Sequence, residues 1–210
     1  MSASVGFFFG LGSRYSYLAS TQITALESET GCRVQWFPMI SGDLMNRCGQ
    51  NPFAERDAQG NWSGVSVSGQ YNEQYRLKDL ARWAALYGVS YNEPIRPQMS
   101  AIRRTLYCVA AEMEGAAAAY CRTMFSAMYA DTISICEEDC RRFAVQMGLS
   151  AETLCNHVES GAAQARQDEI VALALKSNVF GVPSFVVDGE LFWGNDRLGL
   201  LRHHLKHPPC

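Results

Sequence analysis

The sequence predicts an α/β fold: a β-α-β unit at the N-terminal end, a β-β-α unit at the C-terminal end, and an all-helical block of about a hundred residues between them. Three observations predict it. Short runs of β-type residues lie at the two ends, the long middle stretch repeats its apolar residues at helical spacing, and a helical pattern separates the first two strands, which makes them parallel.

Residues 5–9, VGFFF, read as a buried strand that breaks at Gly10 and Gly12. From Tyr15 to about Gly31 the pattern turns helical, with Tyr15, Leu18, Ala19, Ile23 and Leu26 near one face. Arg33 to Phe37 reads as the second strand, stopped by Pro38. The stretch 41–70, rich in Gly, Ser, Asn and Asp, reads as a long loop with one short helix. Leu80, Trp83, Ala84 and Tyr87 mark the next helix, which Gly88 ends. Ile102, Leu106, Val109 and Met113 mark another, and Tyr120, Met124, Phe125 and Met128 a third. Thr132 to Gly148 and Ala151 to Gly161 read as two further helices, followed by one ending near Ser177. The period then switches: SFVVDGELFW (184–193) is two β-type runs joined by Asp188-Gly189, a hairpin-turn dipeptide. Asn195 or Asp196 can cap a last helix from Arg197 to about Leu205. These ends make a thioredoxin-type core, residues 1–70 and 177–210, interrupted by an inserted helical domain, residues 71–176.

Composition narrows the function classes. With 48% hydrophobic and 19% charged residues, the 210-residue chain can bury a sizeable core. A net charge of −3 and the absence of Lys/Arg runs exclude nucleic acid and anionic membranes as expected partners. The apolar N-terminal stretch lacks a basic leader, and no segment reaches the roughly 18 apolar residues a membrane helix needs. The eight cysteines, Cys32, Cys48, Cys108, Cys121, Cys136, Cys140, Cys155 and Cys210, form no CxxC and no zinc spacing. Cys136 and Cys140 are one helical turn apart, but two ligands do not make a metal site. Free thiols used as small apolar residues point to a cytoplasmic location and to no metal.

Three short segments carry the chemistry. Gly12-Ser13-Arg14-Tyr15-Ser16-Tyr17-Leu18 joins the first strand to the first helix, where unpaired N–H groups favour negative charge. In thioredoxin-type proteins a CxxC sits there; here the spacing is Ser13-x-x-Ser16. A serine cannot exchange disulfides, but its hydroxyl can donate to another molecule's thiolate; the same serine also suits plain N-capping. Val179-Phe180-Gly181-Val182-Pro183-Ser184-Phe185 places a Val-Pro step before a strand, where a cis proline would turn the main chain of Val182 outward. An ordinary trans proline at a strand start is the other reading. Phe192-Trp193-Gly194-Asn195-Asp196-Arg197 starts a helix with an amide and a carboxylate, which suits a ligand group bearing both charges as well as simple capping.

Together these segments resemble the family of 2-hydroxychromene-2-carboxylate isomerases and kappa-class glutathione transferases, within the DsbA-like group. Gly12 to Leu18 resembles that family's S-S-P-x-S-Y-L, and V-F-G-V-P-S-F with L-F-W-G-N-D-R-L (191–198) resembles its C-terminal signature. KDLARWAALYGV (78–89) resembles a helix of the family's insertion. The resemblance implies glutathione as cofactor, with Ser13 as the catalytic residue that stabilises its thiolate. It implies that the main chain of Val182 before Pro183 holds the cysteinyl part, and that Asn195 and Asp196 hold the γ-glutamyl end. Asn51, in the 41–70 loop, is placed near the glutathione or substrate. Two positions depart from the family pattern: Arg14 replaces a proline and Gly10 an aspartate. Arg14 is counted with the cofactor-binding residues, as a cation that lowers the thiol pKa or binds an acidic substrate; a solvated side chain is the other reading. The implied activity is isomerisation of a conjugated aromatic or enone carboxylate by reversible thiolate addition, bond rotation and elimination. A conjugating transferase and a non-catalytic glutathione- or peptide-binding module are the alternatives. The expected partner is a small, aromatic molecule, and the oligomeric state, a homodimer included, is open.

Overall fold

The computed structural model describes residues 2–48 and 73–207. In chain order the elements are β1 (Ser4–Phe9), α1 (Arg14–Thr21), α2 (Ile23–Thr30), β2 (Arg33–Pro38), α3 (Ser41–Arg47), α4 (Glu73–Tyr87), α5 (Ala101–Met113), α6 (Ala117–Tyr129), α7 (Glu137–Gln146), α8 (Ala151–Glu159), α9 (Ala162–Lys176), β3 (Ser184–Val187), β4 (Glu190–Trp193) and α10 (Leu198–Lys206). The four strands form one sheet in the order β2-β1-β3-β4. β1 and β2 are parallel, as a helical crossover requires, while β1–β3 and β3–β4 are antiparallel. The arrangement is the thioredoxin core with a helical insertion.

Register explains the core. Phe7 lies opposite Trp36 on one side and Phe185 on the other. Its ring stacks on Phe185 at 4.9 Å and meets Trp36 edge-on at 5.1 Å, while Phe9 packs on Phe125 of α6 at 5.5 Å. The helical insertion thereby shares the apolar face of the sheet. The outer edge of β2 is blunted. Arg33 and Met39 donate their N–H groups to the carbonyls of Ala3, just before β1, and Phe9, so Val34, Trp36 and Pro38 turn their main chain outward. The Val34 N–H is taken by the Glu27 carboxylate at 2.9 Å, and Pro38 has none.

Several expected elements differ in detail. The helix expected from Tyr15 to Gly31 is two helices broken at Gln22. The Ser20 and Thr21 hydroxyls bond back to the carbonyls of Tyr17 (2.6 Å) and Leu18 (2.7 Å), competing with the helical ladder just before the break. Of the stretch expected helical from Thr132, only Glu137 onward is; Asp139 accepts the Cys136 N–H at 3.0 Å and fixes that start. On α5 Val109 of the expected stripe is buried, but Ile102 and Met113 at its ends are exposed, and Tyr107, Cys108, Ala110 and Ala111 complete the buried face. That helix is enclosed by β2, α6, α8 and α9, and a single apolar stripe does not describe it. Neither Asn195 nor Asp196 caps the last helix: a 3-10 turn, Asn195–Arg197, precedes α10 and follows Gly194 at φ 113. The short helix expected after residue 41 is α3; Asn51 and the rest of that loop lie outside the described residues.

Candidate functional site

Strand register brings the three segments to one end of the sheet. Phe8 pairs with Ser184, and Ser184 with Trp193. The continuation of β1 toward Ser13, the residues before Ser184 and the residues after Trp193 therefore leave the sheet at the same edge. The 3-10 turn touches α1 there.

Ser13 is the N-cap of α1, with an extended backbone (φ −88, ψ 113), and its Oγ accepts the Ser16 N–H at 3.1 Å. A hydroxyl has one proton and two lone pairs. The cap uses a lone pair, and among the described residues no acceptor takes the proton. Ser13 is half-buried; Ser16 is fully buried, and its Oγ has no partner.

The Val182–Pro183 peptide is cis. The Pro183 carbonyl is taken by the Gly194 N–H at 2.8 Å and Ser184 Oγ donates to the Gly181 carbonyl at 2.8 Å. The N–H and C=O of Val182 itself have no partner among the described residues, and the residue is half-buried. Asn195 is 4% exposed; its carbonyl accepts the Tyr87 hydroxyl at 3.1 Å, while its Nδ2 is buried without a partner. Asp196 is exposed and pairs with Arg197 at 2.9 Å. Phe180 and Trp193, both exposed, meet edge-on at 4.8 Å beside Gly181.

Arg14 is not a loose surface cation. Its Nε lies 3.1 and 3.0 Å from the two Glu93 oxygens and its Nη2 2.7 Å from one of them, a two-pronged pair. Burial opposes the charge, but the Glu93 carboxylate outweighs it and holds Arg14 above its ordinary pKa. Burial likewise opposes the Glu93 charge, yet Arg14, the Tyr91 hydroxyl and Arg76 bring that carboxyl below its usual range. Sequence reading did not find Glu93, nor the tyrosines around it. The rings of Tyr17 and Tyr129 stack at 5.1 Å, with Tyr91 at 6.4 and 6.3 Å from them. Tyr129 donates to the Leu11 carbonyl at 2.8 Å, directly under the turn that carries Ser13. Tyr17 and Tyr129 lie on helices and Tyr91 in the connection after α4, and nothing in the sequence signals which turn they reach.

Gly10 has a packing reason. A Cβ there would lie 2.9 Å from Ser41 Oγ and 3.0 Å from Ser41 Cβ, so the first residue of α3 fills the space a larger side chain would need. Among the described residues no cluster of three or more His, Cys, Asp or Glu is placed to hold a metal, and the seven described cysteines are free. No helix of the described residues is long and apolar enough to cross a membrane.

The DSBA-like thioredoxin domain pattern matches residues 4–206. The chain is 30% identical over 208 residues to a 2-hydroxychromene-2-carboxylate isomerase of Sphingobium xenophagum, covering 98% of this chain and 99% of that one. A solved 2-hydroxychromene-2-carboxylate isomerase superposes with a TM-score of 0.76 at 26% identity, over 96% of this chain and 94% of the other. The cytosolic disulfide reductase DsbM from Pseudomonas aeruginosa, solved with GSH, shares the fold at a TM-score of 0.62 and 16% identity, over 98% and 93% of the chains.

Proposed function

We propose, from the premise that the chain belongs to the DsbA-like thioredoxin domain family and groups there with the 2-hydroxychromene-2-carboxylate isomerases, that it is a glutathione-dependent isomerase of a conjugated aromatic carboxylate. The observation that carries this reading is that three groups without a hydrogen-bond partner among the described residues stand on segments that leave the sheet at one end. They are the Ser13 hydroxyl proton, the main chain of Val182 and the buried Nδ2 of Asn195.

These groups fit glutathione. The Ser13 O–H would donate to its sulfur at the N-terminus of α1, whose dipole favours the thiolate. Val182 would pair with the cysteinyl peptide, as an extended strand does, and Asn195 would meet the γ-glutamyl end, with Asp196 at its ammonium. When bound, glutathione supplies a thiolate that adds reversibly to the conjugated double bond, so that rotation and expulsion give the isomer. A free thiol of pKa about 8.5 is roughly 3% ionised at pH 7. A hydrogen bond to a charged group contributes about 1.5–3 kcal/mol, enough to bring the ionised fraction to between roughly a quarter and four fifths. Because nucleophilicity falls with pKa, that gain is partly offset, and holding the substrate beside the sulfur must supply the remainder.

The test is a titration with glutathione followed by thiolate absorbance in the ultraviolet, repeated with Ser13→Ala, then turnover of 2-hydroxychromene-2-carboxylate with and without glutathione. Saturable binding, a thiolate signal lost in the variant, and isomerisation that needs catalytic glutathione are expected. Stoichiometric consumption of glutathione into an adduct would identify a conjugating transferase instead. Absence of binding at millimolar glutathione would leave the cleft to another ligand.

A further inference from the structure

Arg14 is the first residue of α1, next to Ser13, and only one edge of its guanidinium is in use. A guanidinium has two edges that can each take a carboxylate in parallel hydrogen bonds. Glu93 occupies the Nε–Nη2 edge. Nη1 has no partner among the described residues, and unlike the unpartnered Ser16 Oγ and Asn195 Nδ2 it is not buried: the side chain is 32% exposed and solvent reaches that atom. Nor does Glu93 depend on Arg14 alone, because Arg76 lies 3.4 Å from the same carboxylate and the Tyr91 hydroxyl donates to it.

Contacts tie this guanidinium to the turn that carries Ser13. Side chains of a helix lean toward its N-terminus, so the Arg14 stem runs back over the residues before it. Glu93 accepts from Tyr91, the Tyr91 ring stacks on Tyr129 at 6.3 Å, and Tyr129 donates to the Leu11 carbonyl at 2.8 Å. That ring of contacts starts at Arg14 and ends at Leu11, which places the open edge beside the turn between them. Gly12 in the same turn is exposed, and a Cβ there would meet no described atom within 4 Å, so open space adjoins it. Arg14 departs from the family pattern, whose proline has no donor to offer.

We propose that Arg14 sets the specificity of this site for an acid: its open Nη1–Nη2 edge takes the carboxylate of the aromatic substrate while Ser13 holds the thiolate. The proposal rests on the isomerase reading for the identity of that acid, but its binding test does not. Glutathione also carries carboxylates that the same chemistry would take, and the experiment separates the two sources.

The experiment is calorimetric titration of the full chain with 2-hydroxycinnamate, with neutral 2-hydroxycinnamamide and with glutathione, for wild type, Arg14→Met, Arg14→Lys and Arg14→Pro. Arg14→Met should weaken 2-hydroxycinnamate about tenfold or more. Arg14→Lys keeps the charge and loses the fork, and should fall between wild type and Arg14→Met. The amide and glutathione should stay within about twofold throughout. Should Arg14→Met fail to fold, Arg14→Pro must show the same selective loss. Proline suits a first helical position, the Arg14 N–H has no partner among the described residues, and Ser13 already has the extended backbone (φ −88, ψ 113) that precedes a proline. Turnover gives a second readout: KM for 2-hydroxychromene-2-carboxylate should rise in Arg14→Met with kcat little changed. Failure of the wild type to bind 2-hydroxycinnamate, equal binding by wild type and variants, or an equal loss of the amide would overturn the proposal. So would a loss confined to glutathione, which would assign the edge to the cofactor. A protein that binds 2-hydroxycinnamate through Arg14 but neither binds glutathione nor isomerises the chromene would sink the isomerase reading alone.

Discussion

The Ser13 hydroxyl accepts the Ser16 N–H with one lone pair, which leaves its proton for a second partner. Capping and thiolate stabilisation are thus separable by substitution. Ser13→Ala removes both, and should cost about 1 kcal/mol of stability together with roughly 10- to 100-fold in glutathione-dependent rate. Ser13→Asp can still cap but cannot donate when ionised, and it sets a negative charge against the thiolate. Its melting temperature should stay near wild type while the rate falls at least as far; thermal unfolding beside turnover decides, and an active Ser13→Asp would remove the serine's assigned role. Gly10 poses a packing question. Gly10→Ala meets Ser41 at under 3.1 Å and should cost about 1–3 kcal/mol, the range of core overpacking. Ser41→Gly in the same chain should recover most of it, and denaturant unfolding of the double-mutant cycle measures the coupling. That Ser13, Val182 and Asn195 lie at element ends could be read from sequence, because local rules apply there. Glu93 could not, because its importance comes from a partner, Arg14, that stands 79 residues earlier in the chain.

Between α1 and the start of the insertion three side-chain bonds act together. Arg14 grips Glu93, Tyr17 donates to the Ser90 carbonyl at 2.5 Å, and Tyr15 to Asp79 of α4 at 2.8 Å. They fix the helix that carries Ser13 against α4 and the connection to α5. Glu93→Gln breaks the ionic member. Because Arg14 and Glu93 are each about a third exposed, solvent screens the pair, and a loss of about 1 kcal/mol or less is expected. The pH dependence has a definite sign. Glu93 has a lowered carboxyl pKa in the folded chain, so its contribution is complete above the unfolded value of about 4.5 and disappears as pH falls through the folded one. Thermal melts between pH 3 and 6 should fall more steeply for wild type than for Glu93→Gln; parallel curves would remove the latch from the stability of the chain. The faces of α4 and α6 were readable because each turns one stripe inward, Leu80 and Ala84 on one, Tyr120, Met124, Phe125 and Met128 on the other. The inner face of α5 was readable only through Val109, since the helix is enclosed by several neighbours and a single hydrophobic stripe does not describe a helix packed on many sides.

At the scale of the whole molecule, a scaffold shared with disulfide oxidoreductases carries serines where a dithiol would sit, and five of its seven described thiols are kept in the core. Cys32, Cys108, Cys121, Cys140 and Cys155 are buried in the core; burial raises the pKa of Cys32 and Cys108 and takes Cys140 to about 12. The folded chain should therefore leave these thiols silent toward Ellman's reagent, expose all eight on unfolding, and show no insulin-reducing turnover. Ser13 and Ser16 stand at the start of α1, and the geometry there suits their replacement by cysteines. Ser13 is half-buried at the helix N-terminus, where a thiolate is favoured, and Ser16 is fully buried with a hydroxyl that bonds to nothing, so a thiol there loses no hydrogen bond. The double substitution Ser13→Cys with Ser16→Cys should fold with stability close to wild type, form a reversible disulfide, and gain thiol–disulfide exchange with insulin. Its first thiol should titrate below about 8, the ordinary range being near 8.5. Glutathione-dependent isomerisation should be lost, because glutathione would exchange with the new thiol instead of resting beside a hydroxyl. A double variant that folds but neither forms the disulfide nor exchanges would mean that this sheet end no longer presents its helix N-terminus to a thiol, and the assignment of Ser13 to a thiolate would fall with it.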